Sequence, residues 1–140
     1  METIRPGPWE YDPAPERIRP EIADRYRLLI GGAWTDAADG RCMASVNPAT
    51  DETITQFGVA GAQDVDRAVT AARAALPAWS ALPGKERGKY LYRIARRIQE
   101  RARELAVLET IDGGKPIRES RDVDIPLAAA HFFYHAGWCD

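Results

Sequence analysis

Two histidines stand four residues apart, at His131 and His135. On a helix that spacing puts both imidazoles on one face, which is how paired ligands reach a transition metal. A site would need a third ligand, for which Asp124 and Asp140 are the nearest candidates. The run HFFYH also lacks the glutamate that gives HExxH its hydrolytic chemistry, so the pair reads as ordinary histidines on an aromatic-rich helix. The two cysteines, Cys42 and Cys139, are too far apart for a disulfide framework, and no CxxC pair points to zinc. Neither lies in an activating context, so both read as small half-buried thiols. Gly113-Gly114-Lys115 has the look of a phosphate loop, but it follows a helix instead of a strand and reads as a helix stop. Glu109, Asp112, Asp122 and Asp124 pair with no candidate nucleophile. No GxGxxG is present, and these residues assign neither a catalytic nor a cofactor-binding position.

The chain around them has 140 residues, enough for one domain with a modest core. Hydrophobic residues make up 45% and charged residues 29%, the balance of a globular protein. A net charge of −2 argues against a nucleic-acid partner, because phosphates demand a basic excess. No apolar run approaches the roughly 20 residues that cross a bilayer, so no membrane partner is expected. METIRPGPWEYDPAPE lacks the apolar stretch of a secretory signal, which makes a cytoplasmic location the expectation.

Residues 1–26 read as a proline-rich arm. Five of the ten prolines fall at Pro6, Pro8, Pro13, Pro15 and Pro20, where fixed φ and missing donors disfavour regular structure. Trp9 and Tyr11 could anchor this arm to a surface; a disordered terminus is the alternative. From Arg27 to Ala60 the pattern is β, with turns at Gly31-Gly32, Asp39-Gly40 and Asn47-Pro48. It predicts a small antiparallel meander. From Gly61 the period becomes helical. Val65, Ala68, Val69, Ala72 and Leu76 form one stripe, and Pro77 is expected to end that helix. A second helix begins near Pro83 with Leu91, Ile94, Ala95, Ile98, Ala102 and Leu105 on its apolar face. Gly88 counts against it by about 1 kcal/mol relative to alanine. The opposite face carries arginines interleaved with Glu86, Glu100 and Glu104, a solvated surface. A further helical stretch from Glu104 stops at Gly113-Gly114, and Pro116 is expected to prevent its resumption. The last stretch puts Val123, Leu127, Ala130, Phe133 or Tyr134, and Trp138 on one stripe, with Pro126 kinking or restarting it.

The motifs together resemble one family. LLIGGAW (Leu28–Trp34), VNPAT (Val46–Thr50), DVDRAVTAARAALPAW (Asp64–Trp79), RGKYLYRIARRIQERARELAVLET (Arg87–Thr110), IDGGKP (Ile111–Pro116) and YHAGWCD (Tyr134–Asp140) run in the order found in aldehyde dehydrogenases. The match covers about Arg27 to Asp140. The arm and RESRDVDIPLAAAHFFY (Arg118–Tyr134) are similar to one bacterial branch. Gly113 stands where the family has asparagine, Asp51 where it often has glycine, His135 where tyrosine is frequent and Cys139 where alanine is frequent.

The resemblance implies an α/β fold, with this chain the front part of a cofactor-binding domain: a small β meander followed by three or four helices, incomplete over residues 27–140. It implies oxidation of an aldehyde to a carboxylic acid with NAD or NADP, by thiolate attack, hydride transfer and thioester hydrolysis. The nucleotide-binding loop and the catalytic cysteine are expected beyond Asp140, so the chain should be inactive alone and no catalytic residue maps onto it. The family implies a homo-oligomer. Helix faces built for a missing sheet should favour aggregation or docking on a relative. The alternative is a non-catalytic binding module that docks on a full-length aldehyde dehydrogenase. Some members hold a monovalent cation through backbone oxygens near the VNP turn and the aspartate of the motif that IDGGKP matches; the matching positions are Ser45, Val46 and Asp112, where K+ or Na+ would find oxygen ligands. Otherwise Asp112 only braces its loop.

Overall fold

A computed structural model describes residues 19–139; Trp9, Tyr11 and most of the proline-rich arm, together with Asp140, lie outside the described residues. The first element is a short strand, β1 (Arg25–Tyr26). A tight hairpin follows, β2 (Leu28–Ile30) and β3 (Ala33–Thr35), paired antiparallel with Leu29 opposite Trp34. Gly31 and Gly32 turn it at φ of 60° and 81°, which residues with a side chain rarely adopt. Next come β4 (Cys42–Val46) and β5 (Thr53–Gly58), antiparallel, with β1 laid parallel on the far side of β5.

The antiparallel pairings are therefore present, but they are divided between two small sheets, ordered β1-β5-β4 and β2-β3, instead of one continuous meander. The break lies after β3. There the Ala38 amide donates to the Asp64 carboxylate, 3.1 Å away, so the backbone leaves the ladder to cap a helix. Arg25 and Tyr26, read as the end of the arm, are already strand.

Helix α1 (Ala62–Ser80) follows, with Gly61 before it. Pro77 was expected to end this helix and does not. It removes only the bond to the carbonyl of Arg73, in an exposed stretch where water can replace the donor, and its fixed φ suits the last turn. The Ala81 amide closes that turn on the Pro77 carbonyl at 3.1 Å. Helix α2 (Gly84–Glu100) starts directly after Pro83, and a break at Arg101 (φ −107°, ψ 17°) separates it from α3 (Ala102–Gly113).

Along the last third of the chain one sequence expectation is narrowed and two are corrected. The left-handed residue after α3 is Gly114, at φ 69°, while Gly113 is still helical. Pro116 does not prevent resumption: it caps the short helix α4 (Ile117–Glu119), since a proline needs no donor at a helix start. A π turn (Ser120–Asp124) then runs into α5 (Ile125–Ala136), with Pro126 in its first turn. On α5 the expected stripe faces outward. Val123, Leu127, Tyr134 and Trp138 are exposed, whereas Ala129 is buried and Ile125, Ala128, Phe132, Phe133 and Ala136 are half-buried.

The core sits where α2, α3 and α5 meet. Its buried apolar side chains are small: Ala95, Ala106, Val107 and Ala129. Small residues let the helices approach closely, and Tyr92 meets Phe133 edge-to-face at 4.7 Å across the α2–α5 contact. Gly88 is part of that contact. The Ala136 carbonyl oxygen lies 2.8 Å from where a Gly88 β-carbon would stand, so the residue that weakens α2 locally is the one that admits α5. In contrast α1 keeps Val65, Val69 and Leu76 exposed.

Candidate functional site

Ser45 lies near the end of β4 and Asp112 in the last turn of α3. Although 67 residues separate them, the Ser45 hydroxyl donates a short hydrogen bond to Asp112 Oδ1. Two turns bring them together. In VNPAT, the Asn47 amide side-chain oxygen takes the Ala49 N–H at 2.9 Å, and the Asn47 carbonyl takes the Asp51 N–H at 2.8 Å. Asp51 closes the turn at φ 58°, a conformation that short polar side chains tolerate. In IDGGKP, Gly114 turns left-handed directly beneath Pro48: a β-carbon on Gly114 would stand 2.7 Å from Pro48 Cγ. The VNPAT turn thus seats on the end of α3 because residue 114 has no side chain.

Val46, the third expected position, is exposed and pairs with Thr53, with the β4–β5 register shifting between Ser45 and Val46. Such an irregularity interrupts the ladder and leaves main-chain groups unpaired. The Ser45 hydroxyl and Asp112 carboxylate are hard oxygen donors, the type that suits K+ or Na+ over a soft metal. Both line a groove of about 610 Å³ between the three-stranded sheet and α3, with Tyr26, Phe57, Leu108 and Glu109 among its walls.

Beside the groove lies a charge cluster that the sequence reading left unpaired. Lys115 Nζ sits 2.5 Å from Asp124 Oδ2 and 3.3 Å from Glu109 Oε1. The hydrogen bond to Asp124, then that to Glu109, holds the Lys115 ammonium above its ordinary pKa. Opposite charges flanking a helix stop were the available signal. This clasp joins the end of α3 to the π turn, so Lys115 is not a free phosphate ligand. Together with Pro48 filling the space over Gly114, it leaves the GGK segment as a helix stop.

The histidine pair lies on the exposed side of α5, its rings 6.5 Å apart and nearly parallel at 17°. Asp124, one of the two suggested third ligands, is held by Lys115, and Asp140 lies outside the described residues. Among the described residues no three of His, Cys, Asp and Glu are placed to hold a metal. Both thiols donate to main-chain carbonyls, Cys42 to Gly40 at 3.8 Å and Cys139 to His135 at 3.5 Å. No helix among the described residues is long and apolar enough to cross a membrane.

A second polar centre, at the start of α1, serves the fold. Asp64 is buried and accepts the Gly61 amide at 2.9 Å, the Ala38 amide at 3.1 Å and the Arg67 guanidinium at 2.5 Å. The Gly61 N–H above all, then the Ala38 N–H and Arg67, outweighs desolvation and holds its carboxyl below the ordinary range. From the sequence alone Asp64 is a first-turn acidic residue that the helix dipole favours; its bonds to Gly61 and Ala38 appear only in the fold.

Comparison with known proteins supplies what the isolated site does not. The model of the aldehyde dehydrogenase family matches residues 34–140. Fluoroacetaldehyde dehydrogenase of Streptantibioticus cattleyicolor is 48% identical over 116 residues, which are 83% of this chain and 23% of that protein. Acetaldehyde dehydrogenase 2 of Cupriavidus necator is 46% identical over 113 residues, 81% of this chain and 22% of that protein. The crystal structure of PnpE in complex with nicotinamide adenine dinucleotide superposes with a TM-score of 0.78 at 46% identity, over 80% of this chain and 23% of that one. The chain spans under a quarter of the length of these relatives. With sequence motifs, helix order and overall shape in agreement over most of its residues, the chain belongs to the aldehyde dehydrogenase family.

Proposed function

We propose that this chain serves an NAD(P)-dependent aldehyde dehydrogenase, an enzyme that oxidises an aldehyde to a carboxylic acid, as scaffold and not as reaction centre. Residues 1–26 would be an arm and residues 27–140 the leading, incomplete part of the cofactor domain. The observation that carries the reading is the pairing of a family match over residues 34–140 with thiols that address only main-chain carbonyls. Nucleophile, base and nucleotide loop would come from segments that the longer relatives possess. The assembled enzyme would be a cytoplasmic homo-oligomer. Ser45, Asp112 and the main chain at Val46 would hold K+ or Na+, a role supported by the meeting of two oxygen side chains at an irregular point of the ladder.

The test is direct. The purified 140-residue chain is incubated with acetaldehyde or benzaldehyde and NAD+ or NADP+, and cofactor reduction is followed. No turnover is expected. Turnover that survives removal of contaminating enzyme would overturn the scaffold reading.

A second reading, a module that docks on a full-length relative, is favoured by the exposed apolar faces of α1 and α5. Co-elution with such a relative in gel filtration supports it; separate elution removes it.

A further inference from the structure

We infer that the π turn at Ser120–Asp124 acts as a one-residue phase adjuster, turning the apolar face of α5 inward while α4 keeps its own grip on α3. Upstream, the phase is anchored. Ile117 is half-buried, and Ser120 is fully buried with its hydroxyl 3.1 Å from that of Thr110 on α3. A regular α-helix continued from these two residues would bring in positions three and four further on: Asp124, Leu127, Ala128, His131, Tyr134 and His135. That face carries one carboxylate and two imidazoles, which an apolar contact receives only at a desolvation cost. The face that is inside is displaced by one: Ile125, Ala128, Ala129, Phe132 and Ala136.

The displacement happens at one place. The Ile125 amide bonds to the Ser120 carbonyl, five residues back instead of four. One extra residue in a helix is a lag of about 100° in the phase of everything after it. Pro126 fits the same arrangement. In a regular helix its ring would meet the Asp122 carbonyl and leave that group without a donor, and the wider turn relieves both. Lys115 holds the adjusted position, because Asp124, half-buried beside the inward face, is placed for its ammonium. The outcome is that Val123, Leu127, Tyr134 and Trp138 all stand outward and His131 and His135 stay in water.

The test uses the full 140-residue chain and two length variants. With Pro126→Ala carried in the parent and in both variants, so that no ring meets a carbonyl, removing Val123, an exposed residue of the turn, takes out the extra position and a regular helix then delivers the same inward face. Adding one alanine between Asp122 and Val123 turns α5 by a further step of about 100°. Amide hydrogen exchange at Ala129–Ala136 is the readout, with thermal melting beside it. The deletion is expected to keep protection within about threefold of the parent and its melting temperature equal or higher, while the insertion loses protection by more than about tenfold. Equal loss in both variants, or equal retention in both, overturns the inference.

Discussion

The carbonyl oxygen of Ala136 occupies the space that a side chain on Gly88 would need, at 2.8 Å from the missing β-carbon. Backbone meets backbone there, so nothing flexible can yield. Helix propensity alone says that Gly88→Ala should stabilise α2 by about 1 kcal/mol. The crossing says the reverse: overpacking of this kind costs about 1–3 kcal/mol, and the net effect is expected to be destabilising. Denaturant unfolding of the chain and its Gly88→Ala variant decides the sign, and a raised midpoint would show that the contact is not made in solution.

Neighbouring glycines at the end of α3 should behave oppositely. Gly114→Ala forces a left-handed alanine at about 1–2 kcal/mol. It also presses a β-carbon against Pro48, so the total loss should exceed the strain term alone. Gly113 is helical with no atom within 4 Å of its added β-carbon, so Gly113→Ala should be neutral or gain up to about 1 kcal/mol. Melting curves of the two variants, measured side by side, test the assignment of roles.

These two residues show what local pattern can and cannot reveal. The hairpin at Gly31-Gly32 and the helix start after Pro83 were legible because each depends on the conformational needs of one or two residues. A left-handed residue was legible at Gly113-Gly114, but not which glycine takes it, because Pro48 decides that from 66 positions away. Gly88 read as a flaw until its partner on α5 was in view. The inward face of α5 escaped for another reason: Val123, Leu127, Ala130, Tyr134 and Trp138 make a regular apolar stripe of their own, and only the packing against α2 shows that Ile125, Ala128, Ala129, Phe132 and Ala136 are the side that is covered. At the candidate site, Ser45 and Asp112 were named through family likeness, whereas the Lys115 clasp needed the fold.

Asp64 gives the chain an acid-sensitive joint. Its carboxyl is held below the ordinary range chiefly by the Gly61 amide, with the Ala38 amide and Arg67 assisting. A depressed folded-state pKa contributes stability above the unfolded value, near about 3.9, and loses it as pH falls through the folded value. Melting temperature should therefore drop below pH about 4 more steeply in the parent than in Asp64→Asn, which has no such carboxylate to protonate. Parallel acid profiles for both proteins would contradict this.

The proposed cation site predicts an ion-specific shift. Potassium or sodium chloride should raise the melting temperature relative to a bulky tetraalkylammonium salt at the same ionic strength. Asp112→Ala should abolish the difference. A difference that persists in the variant counts against Asp112 as a ligand and leaves it as the partner of Ser45 alone.

The fit between Gly88 and Ala136 also has a meaning in time. Residues 48 positions apart must come together before α2 can bury its inner face, so the first half of α2 cannot mature as the chain is made. It waits through the synthesis of α3, the π turn and α5, its apolar side uncovered, until a single late closure completes it. A substitution that slows that closure would lengthen the interval in which chaperones and proteases can reach the nascent helix, even if it left the final stability untouched.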